Sequence, residues 1–401
     1  MATTYILKDL SEPIRNSSGL DYRKELNEAQ HEAATAIDGS LLIIAGAGTG
    51  KTRTLVYRVA HMIDQGIDPR SILLLTFTRR SAEEMIRRAS LLIDGRCNQI
   101  AGGTFHSFAN LVLRVHGRHI NLASSFTIMD RPDSEDIIQH IRADMGLNTK
   151  EKRFPRKQTV AEILSMTLNK KIPLNELLEL EYPHLVEVNF ELGEIQRRYT
   201  DYKRTKSLID YDDLLTKLRD LLADHAEIRS RLSDTYRYIM VDEYQDTNHL
   251  QAEIVRLLAA THDNVAVVGD DAQSIYSFRG ANFRNIMDFP KHFPGARIIK
   301  LEENYRSTQP ILNVTNEIIS RAKEGYEKRL FTRKSVGTRP KLVQADSEQM
   351  QSQFVCQKVL ELREQGVPLW DIAVLFRSSF HSFDLEIELA RHNIPFVKRG
   401  G

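Results

Sequence analysis

The stretch Leu41-Leu42-Ile43-Ile44-Ala45-Gly46-Ala47-Gly48-Thr49-Gly50-Lys51-Thr52 carries an apolar run directly into a glycine-rich turn that ends in Gly-Lys-Thr. Glycines in such a turn let successive backbone N–H groups point at phosphate oxygens, which predicts a phosphate-binding loop. Lys51 is then expected to reach the β- and γ-phosphates, and the Thr52 hydroxyl to ligate Mg²⁺ at the start of a helix. The predicted ligand is a nucleoside triphosphate, with Mg²⁺ as its expected metal ion.

The residues around the turn support this interpretation. The strict pattern has Gly where this chain has Ala45, but the preceding run is typical of a buried strand. Apolar residues then recur at helical spacing up to Gly66, which gives the order of strand, loop and helix that the pattern requires. A glycine-rich turn without a ligand is the alternative. The nucleotide-binding residues predicted in this segment are Ala47, Gly48, Thr49, Gly50, Lys51, Thr52 and Arg53.

The composition is that of a globular protein. Of the 401 residues, 41% are hydrophobic and 27% are charged, and the length favours two or three domains. No apolar run approaches the ~20 residues that span a bilayer, so we expect no membrane contact. The first residues lack the pattern of a secretion signal, so a cytoplasmic location is expected.

Cysteine usage and charge exclude some classes of function. The two cysteines, Cys97 and Cys356, lack metal-ligand spacing, which argues against zinc sites and a disulfide framework. The net charge of +1 gives no global signature of nucleic-acid binding, so any such binding must come from local clusters. The basic run at 150–157 is one such cluster, although a solvated loop explains it equally well.

Short apolar runs at 72–77, 239–241 and 265–268 each end in a polar signature, and helical stretches alternate with them. This alternation predicts an α/β fold with a parallel sheet, whose ligands bind at the carboxyl ends of the strands. Residues 122–206 have a helical, charged pattern without a clear strand signal, which predicts a helical insertion. A further region from residue 294 carries predicted strands at 340–343 and 372–376 and a predicted helix at 383–391. Residues 1–20 are polar and are expected to form a mobile tail.

Two adjacent carboxylates, Asp242 and Glu243, follow the buried run at 239–241. An enzyme that hydrolyses nucleoside triphosphates places one such carboxylate on Mg²⁺ and the other on the attacking water. We therefore predict Asp242 as the metal ligand and Glu243 as the general base. A solvated acidic loop is the alternative.

The motifs, taken in order, resemble those of the UvrD/Rep-type DNA helicases of superfamily 1. Residues 242–246, Asp-Glu-Tyr-Gln-Asp, match that family's second motif. Similar matches cover nearly everything from residue 26 to residue 400; they lie at 26–30, 45–52, 76–85, 103–107, 268–281 and 301–308. The resemblance implies a RecA-like first motor domain (21–121 and 207–293), an insertion (122–206) and part of a second RecA-like domain (294–401). It also implies an ATP-dependent 3′ to 5′ helicase or translocase that acts on single-stranded DNA or on a duplex with a single-stranded 3′ tail.

The resemblance also assigns roles at the nucleotide. It implies that Gln30 reads the adenine edge, that Tyr305 stacks on the adenine and that Arg306 acts as an arginine finger on the γ-phosphate. A surface arginine in an ion pair is the alternative for Arg306. The neutral amide of Gln273 can sense whether a γ-phosphate is present, and its motif continues into residues suited to DNA contact.

The predicted DNA contacts are strand-end or loop residues of small polar, basic or aromatic type. The family usually has Trp where this chain has Phe278; base stacking is expected to survive on the smaller ring, with a less tight contact to the base. Core aromatics and a structural histidine are the alternatives for several of these positions. The predicted DNA-binding residues are Thr76, Phe77, Thr78, Thr104, His106, Tyr276, Phe278, Arg279 and Arg377.

Three functions compete. The chain ends where the family continues into further motifs, so we expect a fragment or a shortened protein. The first hypothesis is the motor itself. The second is an ATP-gated module that binds single-stranded DNA without unwinding it. The third, a P-loop NTPase unrelated to nucleic acid, requires that the matches at 103–107 and 276–279 be coincidental.

Overall fold

The apolar runs of the sequence form parallel strands in the computed structural model, which describes residues 19–147, 154–276, 280–335 and 337–399. The strands are β1 (Leu41–Ala45), β2 (Ile72–Thr76), β3 (Ala101–Thr104), β4 (Thr127–Ile128), β5 (Leu208–Ile209), β6 (Tyr238–Val241), β7 (Val265–Gly269) and β8 (Arg297–Leu301). Six of them make one sheet in the order β3-β2-β6-β7-β1-β8, and β4 pairs with β5. Every pair is parallel, which confirms the predicted α/β class.

The chain forms two compact units, a larger one over Met1–Gly337 and a smaller one over Thr338–Gly401. The α-helices of the larger unit are α1 (Tyr22–Glu25), α2 (Glu28–Thr35), α3 (Lys51–Asp64), α4 (Arg79–Leu92), α5 (Phe105–His116), α6 (Arg131–Asp144), α7 (Lys157–Lys170), α8 (Leu174–Glu181), α9 (Asn189–Lys206), α10 (Tyr211–Asp224), α11 (Ala226–Thr235), α12 (His249–Leu258), α13 (Arg284–Met287), α14 (Phe289–His292) and α15 (Gln309–Ile319). The smaller unit holds α16 (Glu348–Glu364) and α17 (Phe383–Arg391).

Two apolar cores cover the two faces of the six-stranded sheet. Because side chains alternate along a strand, Leu42 and Ile44 of β1 enter one core, and Leu41 and Ile43 enter the other. The first core is completed by α5, α10 and α12, and the second by α3 and α4. A strand buried on both faces reads as a continuous apolar run, which is why β1 is recognisable in the sequence.

Polar residues at strand ends start the next helices. The Thr78 hydroxyl accepts a hydrogen bond from the Ser81 amide at 3.1 Å and so caps α4, and Thr104 caps α5 in the same way. Such caps stabilise a helix by about 1 kcal/mol each. Thr78, two residues after β2, and Thr104, at the end of β3, therefore have a structural role before any ligand is considered.

The region 122–206 has its own apolar core among α6, α7, α8 and α9, centred on buried residues such as Ile138, Leu164 and Ile195. It also contains a strand that the sequence did not predict, because β4 has two residues and pairs only with β5. The predicted division into motor domains and insertion stays a prediction. Its boundary at residue 294 lies just before β8, which pairs with β1 in the main sheet.

The smaller unit packs α16 against α17 around Cys356, Val359, Leu385, Leu389 and Ile394. The predicted helix at 383–391 is confirmed. The predicted strands at 340–343 and 372–376 are wrong, because neither segment forms a ladder with a neighbour among the described residues. Leu342 and Leu375 are accordingly 99% and 92% exposed.

Both cysteines are free and fully buried, Cys97 in the second core of the sheet and Cys356 in the smaller unit. Burial raises the pKa of both thiols above the ordinary value. No helix in the described ranges combines the length and the apolar character that a membrane span requires. The predicted tail at 1–20 falls outside the described residues up to residue 18, as does the basic run at 150–153.

Candidate functional site

The glycine-rich turn joins β1 to the first turn of α3. Gly48 and Gly50 have φ angles of 80° and 87°, in the left-handed region that glycine adopts without strain. The Thr49 hydroxyl donates to the Gly46 carbonyl at 2.8 Å and fixes the turn from inside. Gly50 occupies the N-cap of α3 without a side-chain cap. The first N–H groups of a 14-residue helix thus remain for an anion, as the phosphate-loop prediction requires.

The predicted lysine and the predicted base are in contact. Lys51 Nζ donates to Glu243 Oε2 at 2.7 Å, although 192 residues separate them. The same oxygen accepts a second hydrogen bond, at 2.8 Å, from Nε2 of Gln245. Glu243 has a φ angle of 50°, a backbone conformation that is uncommon for a residue with a Cβ and is found at functional sites. The strand-end carboxylate therefore lies at the phosphate loop.

Asp242 is 7% exposed, and its amide donates to the Leu75 carbonyl at 2.9 Å. Burial, together with the charge of Glu243, raises the pKa of Asp242 to about 7. Burial and Glu243 likewise raise the pKa of Asp246 to about 6, and Asp246 Oδ1 is buried without a hydrogen-bond partner. The charge of Lys51 opposes both shifts, but in the described part of the chain neither carboxyl forms an ion pair of its own.

The donor set suits Mg²⁺ in one particular way. No cluster of three or more His, Cys, Asp or Glu side chains within the described ranges could hold a metal ion unaided. Mg²⁺ in nucleotide sites is typically bound by one or two protein oxygens, with phosphates and waters completing the octahedron. Asp242 and Thr52, the predicted ligands, would supply such oxygens, and the raised pKa values of Asp242 and Asp246 are those of carboxyls whose charge a cation there would stabilise. The residues fit the ion.

Gln273 lies in the loop after β7, where its Nε2 donates to Asp270 Oδ2 at 2.5 Å. The amide of Asp270 donates to Gln245 Oε1 at 3.0 Å. Because Gln245 also bonds Glu243, one chain of hydrogen bonds runs from Lys51 through Glu243, Gln245 and Asp270 to Gln273. Three predicted catalytic residues are thereby brought together.

The segment 304–306 lies directly against the glycine-rich turn. The Asn304 side chain donates to the Ala47 carbonyl at 2.5 Å, and the Tyr305 amide donates to the Gly48 carbonyl at 2.9 Å. A Cβ at Gly48 would approach Arg306 Cβ to 2.7 Å, so only glycine allows this packing. Arg306 itself is exposed and, within the described part of the chain, its guanidinium forms no ion pair. Its position beside the turn fits the predicted arginine finger.

The predicted adenine side is made by Gln30, Asn27 and Tyr305. Asn27 Nδ2 donates to the Tyr305 hydroxyl at 2.8 Å, and Gln30 Nε2 donates to the Thr49 carbonyl at 2.9 Å. Gln30 is 2% exposed and its Oε1 accepts the Asn27 amide, so its side-chain amide is engaged at both ends. The predicted adenine reading by Gln30 requires that these bonds be exchanged for bonds to the base.

Arg53 was expected at the nucleotide as well. In the structure its guanidinium pairs with Glu25 at 2.7 Å and lies over the ring of Tyr57, and its contact with the nucleotide stays a prediction. Buried Arg58, which the sequence reasoning did not single out, donates to the carbonyls of Ala33 and Ile37 at the end of α2. Burial lowers the pKa of Arg58 to about 10. Arg58 ties the helix that carries Gln30 to α3.

Two predicted DNA-contact motifs meet at an aromatic pair. The rings of Phe77 and Tyr276 stack with centroids 5.1 Å apart and planes 26° from parallel, and Phe77 is 44% exposed. Thr78 is exposed in the same loop. Thr76 is 1% exposed and donates to the Thr78 carbonyl, so it supports the loop from below. Phe278 and Arg279 lie outside the described residues.

Thr104 and His106 lie at the start of α5. The ring of His106 meets the ring of Tyr211 edge to face at 5.8 Å, and burial lowers the pKa of His106 below its ordinary value. Thr104 is half-buried and is held by its capping hydrogen bonds with Ser107. Arg377 lies in the smaller unit and is exposed.

Three contributors to the site were missed. Gln245 and Asn304 lie inside the matched motifs, so their positions were available from the sequence. No role was predicted for their side-chain amides. Lys328, which pairs with Asp270 and Asp271, lies in no motif that the sequence analysis used.

The parallel sheet, with the glycine-rich turn after β1 and the acidic pair after β6 at the same carboxyl edge, defines the site of a P-loop nucleoside triphosphatase. Residues 26–294 match the family model of the UvrD/REP helicase N-terminal domain, and residues 299–401 match that of the UvrD-like helicase C-terminal domain. The chain belongs to the UvrD/REP helicase family, as the resemblance of its motifs predicted.

Curated relatives point the same way. The chain is 38% identical over 383 residues to the ATP-dependent DNA helicase PcrA of Leuconostoc citreum, a match that covers 94% of this chain and 50% of that protein. It is 34% identical over 380 residues to the PcrA of Staphylococcus aureus (strain Mu50), with 94% and 51% covered. The PcrA of Staphylococcus epidermidis is also 34% identical, over 382 residues. The chain spans about half the length of the curated relatives it matches.

Proposed function

We propose that this chain is the ATP-binding and ATP-hydrolysing core of a 3′ to 5′ DNA helicase of the UvrD/REP family. The observation that carries the proposal is the chain of hydrogen bonds from Lys51 through Glu243 and Gln245 to Asp270 and Gln273. It joins the phosphate loop, the acidic pair and the loop after β7 at one edge of the sheet. The names of the relatives support ATP as the nucleotide and DNA as the nucleic acid on which the protein acts.

Nucleotide binding uses groups on both sides of the turn. The backbone N–H groups from Gly48 to Thr52 hold the β-phosphate, and Lys51 exchanges Glu243 for the β- and γ-phosphate oxygens. Tyr305 stacks on the adenine, and Gln30 bonds its edge. Thr52 and Asp242 would hold Mg²⁺, which would neutralise charge on the phosphates when bound.

Hydrolysis is a direct displacement. Glu243, once released from Lys51, orients a water molecule and accepts its proton as the water oxygen attacks the γ-phosphorus. The bond from the γ-phosphorus to the bridging oxygen breaks, and ADP leaves with the electron pair. Arg306 and Lys51 stabilise the charge on the transferring phosphoryl group. Gln273 senses the presence of the γ-phosphate.

The DNA surface follows from the same loops. Phe77 and Tyr276 form a stacking platform for bases, and Thr78, Thr104 and His106 are proposed contacts to the backbone or bases. Arg377, in the smaller unit, is proposed separately as a DNA contact. Since Gln273 and Tyr276 lie three residues apart, a change at the γ-phosphate reaches the stacking platform directly. We expect binding that tolerates any base sequence and weakens with salt. The proposed substrate is single-stranded DNA or a duplex with a single-stranded 3′ tail, and the proposed location is the cytoplasm.

ATP turnover with and without an oligothymidine, measured beside Glu243→Gln, tests the proposal. Turnover that rises with DNA and is lost in the variant supports a coupled motor, and strand separation of a duplex with a 3′ tail but not a 5′ tail supports its polarity. ATP binding with no response of turnover to DNA would favour the ATP-gated DNA-binding module. Absence of any affinity for single-stranded DNA would revive an NTPase unrelated to nucleic acid.

A further inference from the structure

The segment 326–334, which we call the strap, follows α15 and contacts the predicted phosphate-handling groups. Near its start Lys328 enters the loop after β7, where it pairs with Asp270. In its middle the Phe331 carbonyl accepts a hydrogen bond from the Asn304 amide at 2.6 Å. Near its end Lys334 Nζ donates to the Arg306 carbonyl at 2.8 Å. One short piece of chain thus connects the loop of the predicted sensor to the segment of the predicted arginine finger.

The Lys328 ammonium lies between two carboxylates. Its distances are 2.7 Å to Asp270 Oδ1 and 2.5 Å to Asp271 Oδ1, and the exposed fractions of the three side chains are 4%, 4% and 6%. Burial opposes the charge of Lys328, but the attraction of Asp270 and Asp271 is stronger and raises its pKa. Asp271 Oδ2 also accepts the Tyr326 amide at 3.2 Å, so the cluster fixes the strap backbone as well.

The two carboxylate oxygens of Asp270 bind different groups. Oδ1 binds Lys328 and also accepts the Ala272 amide at 3.1 Å, whereas Oδ2 accepts Nε2 of Gln273 at 2.5 Å. A carboxylate is planar, so the position of one oxygen fixes that of the other. The orientation that Lys328 imposes on Asp270 therefore reaches the amide of Gln273.

We infer that Lys328 is a positioning residue that holds Gln273, through the shared carboxylate of Asp270, in the orientation that senses the γ-phosphate. This inference rests on the proposed function, since it assigns Lys328 to the same nucleotide site. Without Lys328 the Asp270 carboxylate is buried with no cation, and it relieves that cost by rotating toward water or by taking a proton. Either change releases Gln273. Through the strap, Lys328 is also connected to Lys334, which bonds the carbonyl of Arg306.

The test measures nucleotide discrimination rather than turnover. Fluorescent mant-ADP and the mant-labelled β,γ-imido analogue of ATP are titrated with Mg²⁺ into the 401-residue chain. Lys328→Met is expected to weaken binding of the triphosphate analogue about tenfold, the effect of one charge-assisted hydrogen bond, and to change mant-ADP affinity by less than about twofold. Gln273→Ala is expected to do the same. The double variant Lys328→Met/Gln273→Ala is expected to lose no more than either single variant, because both act through one contact.

Asp271→Asn is the matched control. It removes the other carboxylate of the cluster, keeps an oxygen for the Tyr326 amide and leaves Lys328 on Asp270, so preference for the triphosphate should persist. Lys323→Met, at an exposed lysine shortly before the strap, should change neither affinity. A lysine with only a structural role would weaken both nucleotides alike, or would give losses that multiply in the double variant, and either result overturns the inference.

Two further outcomes are distinguishable. If the unaltered chain binds neither nucleotide, the proposed function fails and the inference falls with it. If it binds both but does not prefer the triphosphate, the inference alone is overturned. Thermal melting establishes whether each variant is folded. If Lys328→Met is unfolded, the double variant Lys328→Met/Asp271→Asn replaces it, because only one buried carboxylate then lacks a cation. The same criteria apply to that variant.

Discussion

Replacing Glu243 by glutamine should tighten ATP binding while it removes hydrolysis. Lys51 Nζ lies 2.7 Å from Glu243 Oε2, and the exposed fractions of the two side chains are 10% and 36%. A charge-assisted hydrogen bond contributes ~1.5–3 kcal/mol, and the partial exposure of Glu243 places this pair near the lower value. ATP must break the pair to reach Lys51. The neutral amide weakens the competition, so we expect ATP affinity to rise about tenfold.

The rate of ATP hydrolysis, in contrast to the affinity for ATP, is expected to fall in Glu243→Gln. Loss of a general base costs a factor of ~10²–10⁴ in the rate of the chemical step. Equilibrium titration with mant-ATP measures the first effect, and single-turnover release of labelled phosphate measures the second. Glu194→Gln is the matched control, because Glu194 likewise pairs with cations, the arginines Arg197 and Arg198 of its own helix, but lies in the predicted insertion. Unchanged or weaker ATP affinity in Glu243→Gln would refute the argument that this pair competes with phosphate, and retained turnover would refute the role of Glu243 as base.

Other perturbations test other parts of the structure. Since burial and Glu243 raise the native pKa of Asp242 to about 7, above the unfolded value, the native state binds the extra proton and loses stability as pH rises from about 4 to 7. Asp242→Asn should therefore stabilise the nucleotide-free chain in EDTA by roughly 2–4 kcal/mol at pH 8, with a smaller gain at pH 5, as urea unfolding at the two pH values will show. Lys203→Met removes the cation from a buried ion cluster and should cost ~3–5 kcal/mol in urea unfolding, whereas Lys206→Met on the same helix should cost little. Phe77→Ala should weaken oligothymidine binding by ~1–3 kcal/mol in fluorescence anisotropy, and Phe190→Ala, at an exposed aromatic of the predicted insertion, should not; equal losses would contradict a specific stacking platform.

Local signals account for the parts of the site that the sequence predicted. Gly50 and Lys51 follow an apolar run, and Asp242 and Glu243 follow another, so each pair could be placed at a strand end by its neighbours alone. The meeting of Lys51 with Glu243 then followed from the parallel sheet, whose strand ends share one edge.

Contacts between distant segments could not be predicted in that way. Lys328 and Asp271 are 57 residues apart, and nothing in either local sequence indicates the other. Strands depend on partners as well as on their own residues. The apolar segments 340–343 and 372–376 have strand composition without a ladder, whereas β4 and β5 form a ladder with two residues each.

The burial of Cys97 and Cys356 has a practical consequence for studying motion. Both thiols are shielded and have raised pKa values, so at neutral pH they react slowly with maleimides. A cysteine introduced at an exposed position, such as Lys291, whose side chain is 78% exposed, would be labelled selectively without removal of the native thiols. One dye in each compact unit would then report their separation by energy transfer through the ATP cycle. The two native cysteines should therefore contribute little unspecific labelling in single-molecule spectroscopy.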